Sequence, residues 1–244
     1  MNASNAEPRS IDVNADLGEG FPHDAALLER VTSASISCGA HAGDPESIRC
    51  TLREALARGV VVGAHPGYPD REGFGRRDRD LDAQMVERLI CDQVADLRRL
   101  ADEAGVEIRF LKPHGALYNQ AQSREATARG VVAAAVALGL PLLGQPGTLP
   151  ETLARSAGVV YIPEGFPDRR YRADGSLTPR AEPGAVLESP DELAANVRRL
   201  AAGGLVQTLC IHGDEAEALA NASRLRAILD DLGIAVRPFV PGRS

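Results

Sequence analysis

Tryptophan is absent from the 244 residues, aromatic side chains make up only 4%, and lysine occurs once, at Lys112. A core must therefore be aliphatic, and 44% hydrophobic residues are enough for a sizeable one. Basic charge is also short. With 27 Lys+Arg against 34 Asp+Glu, the formal net charge of -7 argues against a nucleic-acid partner gripped by its phosphates. Cys38, Cys50, Cys91 and Cys210 form no CxxC pair and no metal-finger spacing, so reduced thiols in a cytoplasmic protein are expected. No basic-then-apolar leader opens the sequence, and the most apolar run, Val131 to Leu143, is broken by Gly139 and Pro141 short of a membrane span. GxxxxGK[ST], GxGxxG and HExxH are all missing, which withholds the common nucleotide cradles and a strong zinc motif.

What is present is an alternation of short strands and amphipathic helices. Strands are expected at Ile11 to Asp16, Ser33 to Cys38, Val60 to His65, from Ile108 through the KPHG segment, Pro141 to Gln145, Val159 to Glu164 and Thr208 to His212, with a short addition over Ile234 to Val240. Helices between them are marked by caps and stops. Asp44 with Pro45 opens one that Gly59 closes, and another runs from about Leu81 to Ala104 before Gly105. Ser123 is the expected cap of a third, while Thr148 with Glu151, and Ser189 with Glu192, have capping-box spacing. This order calls for a parallel sheet with right-handed crossovers, either closed into a barrel or doubly wound.

The first strand favours the barrel. Asp12, Asn14 and Asp16 share one face and Ile11, Val13 and Ala15 the other, whereas an ordinary parallel strand is apolar on both. Ser33, Ser35 and Ser37 repeat the pattern. Polar rows on several strands imply an interior lined for chemistry, with the site at the carboxyl ends. Seven clear strands make it a variant barrel. Residues 1–10 read as a disordered extension and residues 11–244 as one barrel domain.

Nearly every strand delivers a polar residue to that end: Asp16, His41, His65, Lys112 with His114, Gln145, Glu164, and His212 with Asp214. Lys112 and His114 share a face of their strand, and a buried lysine must be paired or lose its proton. Two chemistries fit the rim. Imidazole and carboxylate could hold a divalent metal with an open water position, or could move protons while Lys112 offsets charge on a carbonyl oxygen. A bound metal on this rim is thus left unassigned. GFGRR, Gly73 to Arg77, adds two guanidinium groups that could hold a carboxylate or phosphate. The loop from Phe166 to Gly184, with a turn at Asp174-Gly175, is long enough to work at the mouth of a site.

Taken together, NADLGEGF, SISCGAHAGDP, GAHPGYPDREGFGRR, KPHGALYN, EGFPDRRY with the later LTPR, and CIHGD resemble the LamB/YcsF family over about Ile11 to Ile234. The family usually has Cys where this chain has Ala15 and Asn where it has Ser35. The resemblance implies an α/β fold, an irregular seven-stranded (β/α) barrel related to the glycoside hydrolase/deacetylase fold. It also implies the A component of a 5-oxoprolinase, which opens the lactam of 5-oxoproline to L-glutamate with hydrolysis of ATP, and with Mg, alongside subunits B and C. Under that resemblance the catalytic set is Asp16, His41, His65, Lys112, His114 and His212, and the set holding substrate or phosphate is Asn14, Arg76, Arg77, Glu164, Asp168, Arg169, Arg180 and Asp214. Neither a nucleic-acid nor a membrane partner is implied, and self-association stays open. The alternative reading of the rim is a metal-dependent amidohydrolase or sugar deacetylase.

Overall fold

The polar face of the first strand does turn into a barrel. The computed structural model describes residues 9–180, 182–213 and 217–240. Most of the expected N-terminal extension, and Asp214, therefore lie outside the described residues.

β1 (Ser10–Leu17) leads through the short α1 (Asp24–Leu28) to β2 (Ser33–Ser37), and α2 (Pro45–Ala57) returns the chain to β3 (Val61–His65). α3 (Ala83–Ala104), β4 (Ile108–Leu111), α4 (Gly115–Ala121) and α5 (Glu125–Leu138) follow. The remainder is β5 (Leu142–Gly144), α6 (Leu149–Ser156), β6 (Tyr161–Gly165), α7 (Pro190–Gly203), β7 (Thr208–His212), α8 (Ala218–Asp231) and β8 (Ala235–Val236). β2 to β7 pair in sequence order, all parallel, and β1 pairs with both β7 and β2, so seven strands close a ring. β8 lies outside it, joined to the start of β1 through Ser10↔Ala235 and Ile11↔Val236. The joint between β4 and β5 is thin, with one paired position, Leu111↔Leu142.

The helix signals hold unevenly. Asp44 accepts from the amides of Glu46 and Ser47 while Ser47 Oγ bonds back, and Pro45 sits in the first turn, so α2 starts where local chemistry demands. Asp82 caps α3, whose buried stripe is Val86, Ile90, Val94, Leu97 and Ala101. The other caps fail. α5 begins beside Arg124 with no side-chain cap, Thr148 Oγ1 donates to the Gln145 carbonyl at 2.7 Å, and Ser189 caps nothing. Glu192 instead pairs with Arg170. The expected strand through KPHG also stops early: β4 ends at Leu111 and the chain turns into α4.

Burial has two layers. Outward residues such as Val13, Leu17, Ile36 and Leu111 pack under Leu52, Ile90, Val94, Val131 and Leu225 of the helices, each contributing about 1.5–3 kcal/mol. Inside the ring, Val61, Phe110, Leu143 and Ile162 form an apolar plug, with Phe239 and Val240 against it. Gly63 makes room for the plug, because a Cβ there would lie 2.2 Å from the Phe110 ring. Above the plug the interior is polar.

Candidate active site at the carboxyl end of the barrel

The lowest polar group is Asp12. Its carboxylate accepts from Thr32, Ser33 and Thr208 hydroxyls at 2.7, 2.7 and 2.5 Å. Burial still outweighs these bonds and pushes its pKa up from 3.8 to about 6. One layer higher, Lys112 is fully enclosed. Its ammonium lies 2.7 Å from Glu164 Oε1, 2.9 Å from Asp16 Oδ1, 3.2 Å from Asn14 Oδ1 and 3.0 Å from Cys210 Sγ. Asn14 ties the layer together by donating to Glu164 and Thr208. Burial alone would lower the lysine pKa, yet the charges of Asp16, Cys210 and Glu164 together raise it well above the ordinary value. Of the two outcomes open to a buried lysine, pairing is the one realised.

Asp16 links this layer to the histidines. Burial works against its ionisation, but His65 and Lys112 hold the carboxyl well below the usual range. Asp16 Oδ2 is 3.4 Å from His65 Nε2. His65 Nδ1 donates to the Lys112 carbonyl at 2.7 Å, and His114 Nε2 donates to the Phe74 carbonyl at 2.8 Å. Those bonds fix which nitrogens are left to face inward. His65 Nε2 and His114 Nδ1 stand 3.0 Å apart, and Glu19 Oε1 lies 3.1 Å from His41 Nε2 and 3.4 Å from His114 Nδ1. His41 and His114 stack with centroids 3.8 Å apart, and burial with the neighbouring imidazole of His65 lowers the His41 pKa to about 3. His114 is likewise held well below its ordinary value by burial, His41 and His65.

Two backbone features bring these groups together. Gly43 has φ 72°, and a Cβ there would lie 2.1 Å from the Gly18 carbonyl oxygen, so the loops carrying Glu19 and His41 can touch only through glycine. Phe74 occupies the left-handed region at φ 53°, uncommon for a residue with a side chain. That conformation aims its carbonyl at His114, and Gly75 follows at φ 65° against the rings of His41 and His114.

A cavity of about 600 Å³ opens above, lined by Asp16, His65, Lys112, His114 and His212 on one side and Arg76, Arg169, Arg172 and Arg180 on the other. Its outer wall is the long loop, folded back by antiparallel bridges Arg169↔Val186 and Tyr171↔Leu177 around the expected turn, where Gly175 donates to the Arg172 carbonyl. Asp168 Oδ2 lies 2.8 Å from His212 Nδ1 and accepts the His212 amide. Burial opposes ionisation of Asp168, but His212 and Arg180 keep its carboxyl below the usual range. The dyad leaves His212 Nε2 available to the cavity, with the ring stacked on Phe166.

The structure thus gathers Asn14, Asp16, His41, His65, Lys112, His114, Glu164, Asp168 and His212 into one continuous network. Arg76, Arg169 and Arg180 join at the cavity wall, although Arg169 Nη2 is engaged by the Thr178 carbonyl. Arg77 stands apart: it does not line the cavity, and its guanidinium pairs with Glu72 and Asp70. Neighbours in sequence, Arg76 and Arg77 are split because the turn at Phe74 and Gly75 sends them to opposite sides. Glu19 is the residue that sequence reasoning passed over. The signal available was its place in LGEGF, a carboxylate between two glycines at the end of a strand with a polar inner face.

A family model described as LamB/YcsF matches residues 11–243. The A component of the 5-oxoprolinase of Methylococcus capsulatus is 44% identical over 247 residues, covering 93% of this chain and 95% of the relative. Among solved structures, the lactam utilization protein of Thermus thermophilus superposes with a TM-score of 0.87 at 37% identity, over 94% of this chain and all of that one. The catalytic domain of a peptidoglycan N-acetylglucosamine deacetylase from Eubacterium rectale reaches 0.57 at 11% identity over 100% of this chain and 94% of that one, a likeness of fold alone. Among the described residues, no helix is long and apolar enough to cross a membrane. With a match that runs from the first barrel strand almost to the last residue, this chain belongs to the LamB/YcsF family.

Proposed function

We propose that this chain is the A component of an ATP-dependent 5-oxoprolinase, acting with subunits B and C to open 5-oxoproline to L-glutamate. The observation that carries the reading is the cavity, with an ionised acid and a His–Asp dyad on one wall and guanidinium groups on the other, in a chain 44% identical to a protein of that name. A five-membered lactam is a poor electrophile, so water attack needs activation of its oxygen. ATP, with magnesium, supplies that activation as the phosphoryl donor. The residues here are assigned the remaining work.

Arg76, Arg172 and Arg180 hold the substrate carboxylate and the phosphoryl oxygens, a task suited to planar donors. Asp16, kept ionised by Lys112 and His65, takes a proton from the attacking water. His212, oriented by Asp168, delivers a proton to the ring nitrogen as the C–N bond breaks. Lys112 has four polar partners for three protons. It therefore serves by holding Asp16 rather than by reaching the lactam oxygen. This replaces the role that composition and face pattern suggested for it.

The test is glutamate release from 5-oxoproline, with and without ATP and magnesium, for this chain alone and mixed with subunits B and C. ATP-dependent glutamate in the mixture supports the proposal. A verified complex that releases none, while the chain alone hydrolyses amides without ATP, replaces it with the metal-dependent amidohydrolase.

A further inference from the structure

Beneath the cavity floor, three ligand-type atoms meet with their lone pairs turned toward one another. His114 has committed the proton on Nε2 to the Phe74 carbonyl, so Nδ1 offers a lone pair. It faces His65 Nε2 at 3.0 Å and the carboxylate oxygen Glu19 Oε1 at 3.4 Å, while His65 Nε2 and Glu19 Oε1 are 3.9 Å apart. His65 has likewise committed Nδ1 to the Lys112 carbonyl. Backbone carbonyls orienting the far nitrogens are the usual support for metal-bound imidazoles. In a tetrahedral site with metal–nitrogen and metal–oxygen distances of about 2.0–2.2 Å, neighbouring ligand atoms stand roughly 3.3–3.5 Å apart. The three separations bracket that value.

His41 is close but plays a different part. Its ring is parallel to that of His114 within 5°, with centroids 3.8 Å apart. One ion cannot lie in both ring planes. His41 Nε2 instead lies 3.1 Å from Glu19 Oε1 and donates to it, aiming the carboxylate.

We infer that Glu19, His65 and His114 bind one divalent transition-metal ion of the zinc class, with His41 positioning Glu19 and the fourth position opening on the cavity. Two imidazoles and a carboxylate select zinc, cobalt, manganese or iron over magnesium. The open side follows from the lining, because His65, His114 and Asp16 also border the cavity. A second grouping, Asp16, Cys210 and His212, is the wrong place for a cation, since the Lys112 ammonium already sits 3.0 Å from Cys210 Sγ and 2.9 Å from Asp16.

The inference is independent of the lactam reading and is tested without an activity assay. Full-length protein, stripped with a chelator, is titrated with Co²⁺ by visible absorption and with Zn²⁺ by equilibrium dialysis; Mg²⁺ is the competitor. One Co²⁺ per chain, with the intense bands of a low-coordinate site and no displacement by millimolar Mg²⁺, is expected. Glu19→Gln and His114→Gln should weaken binding at least 100-fold, His41→Gln about 10–100-fold, and Cys210→Ala not at all, with circular dichroism reporting that each is folded. Absence of saturable Co²⁺ and Zn²⁺ binding by the wild-type chain overturns the assignment, so a ligand variant that fails to fold does not protect it. Unchanged affinity in folded Glu19→Gln, or loss in Cys210→Ala, overturns it equally.

Discussion

Replacing Lys112 by Met removes the one cation among the buried groups of the barrel's central layer. Lys112 Nζ is 2.7 Å from Glu164 Oε1 and 2.9 Å from Asp16 Oδ1, and the side chains of Lys112, Asp16 and Glu164 are 2%, 8% and 0% exposed. At an effective dielectric near 20, one unit-charge pair at such a distance is worth roughly 6 kcal/mol. Desolvation of the ammonium cancels part of that. Loss of one partner from a buried pair typically costs about 3–5 kcal/mol, because the remaining charge stays buried without compensation. Against a total stability of about 5–15 kcal/mol, Lys112→Met should fold but be visibly weakened. Urea melts at pH 8 should therefore show a loss of about 3–5 kcal/mol.

The pH dependence separates this account from simple loss of packing. In the native chain Asp16 is held well below 3.8 by His65 and Lys112 against its burial, so its stabilising contribution is present above about pH 4 and lost as pH falls further. Between pH 5 and 8 it is constant. In the variant the uncompensated carboxylates can take up protons within that window, and the deficit should shrink toward pH 5. Lys112→Met combined with Glu164→Gln should recover part of the loss. A single variant within about 1 kcal/mol of wild type at both pH values would refute the reasoning.

Asp12 is expected to act in the opposite sense. With its pKa raised to about 6, it stabilises the fold below 3.8 and loses that contribution as pH rises through 6. Asp12→Asn should therefore flatten the stability change between pH 4 and 7 by about 2–3 kcal/mol in chemical denaturation, and an unaltered profile would exclude the carboxyl as its source. Gly63→Ala should cost about 1–3 kcal/mol by overpacking Phe110, and adding Phe110→Leu should restore most of it in thermal melts; a loss untouched by the second change would place the strain elsewhere. In the assembled enzyme, Asp168→Asn should lower glutamate formation by about 10²–10⁴-fold with the native fold retained, whereas full activity would remove the His212 dyad from proton transfer.

Strand order and the sense of the inner faces were legible in the sequence because a period of two survives in Asp12, Asn14 and Asp16 and in the serines of β2. The same rule places His65, Lys112, Glu164 and His212 at the carboxyl ends of their strands. What stayed hidden depends on loops, where no period operates. Glu19 returns toward the histidines only because Gly43 and Gly18 meet, and Arg76 parts from Arg77 only because Phe74 adopts a left-handed backbone. Thr148 and Ser189 had cap spacing, yet Thr148 found the Gln145 carbonyl and Glu192 found Arg170. Local motifs lost there to nearby tertiary partners. The turn into α4 after Leu111 was missed because KPHG carries no stop signal that a four-residue strand would need.

The single paired position between β4 and β5 gives the ring a built-in point of compliance. A closed parallel sheet has no free edge, so slow amide exchange is expected around most of its circumference. At Leu111↔Leu142 the strands are held mainly by Leu111 N–H to Pro141 O, 2.9 Å, and by side chains behind them. Local opening there exposes few hydrogen bonds and leaves the other six joints intact. Because β4 hands directly to Lys112 and His114, a fluctuation of that joint moves one wall of the ionic centre relative to β1, which carries the other. The fold's least tethered junction thus adjoins its most charged interior.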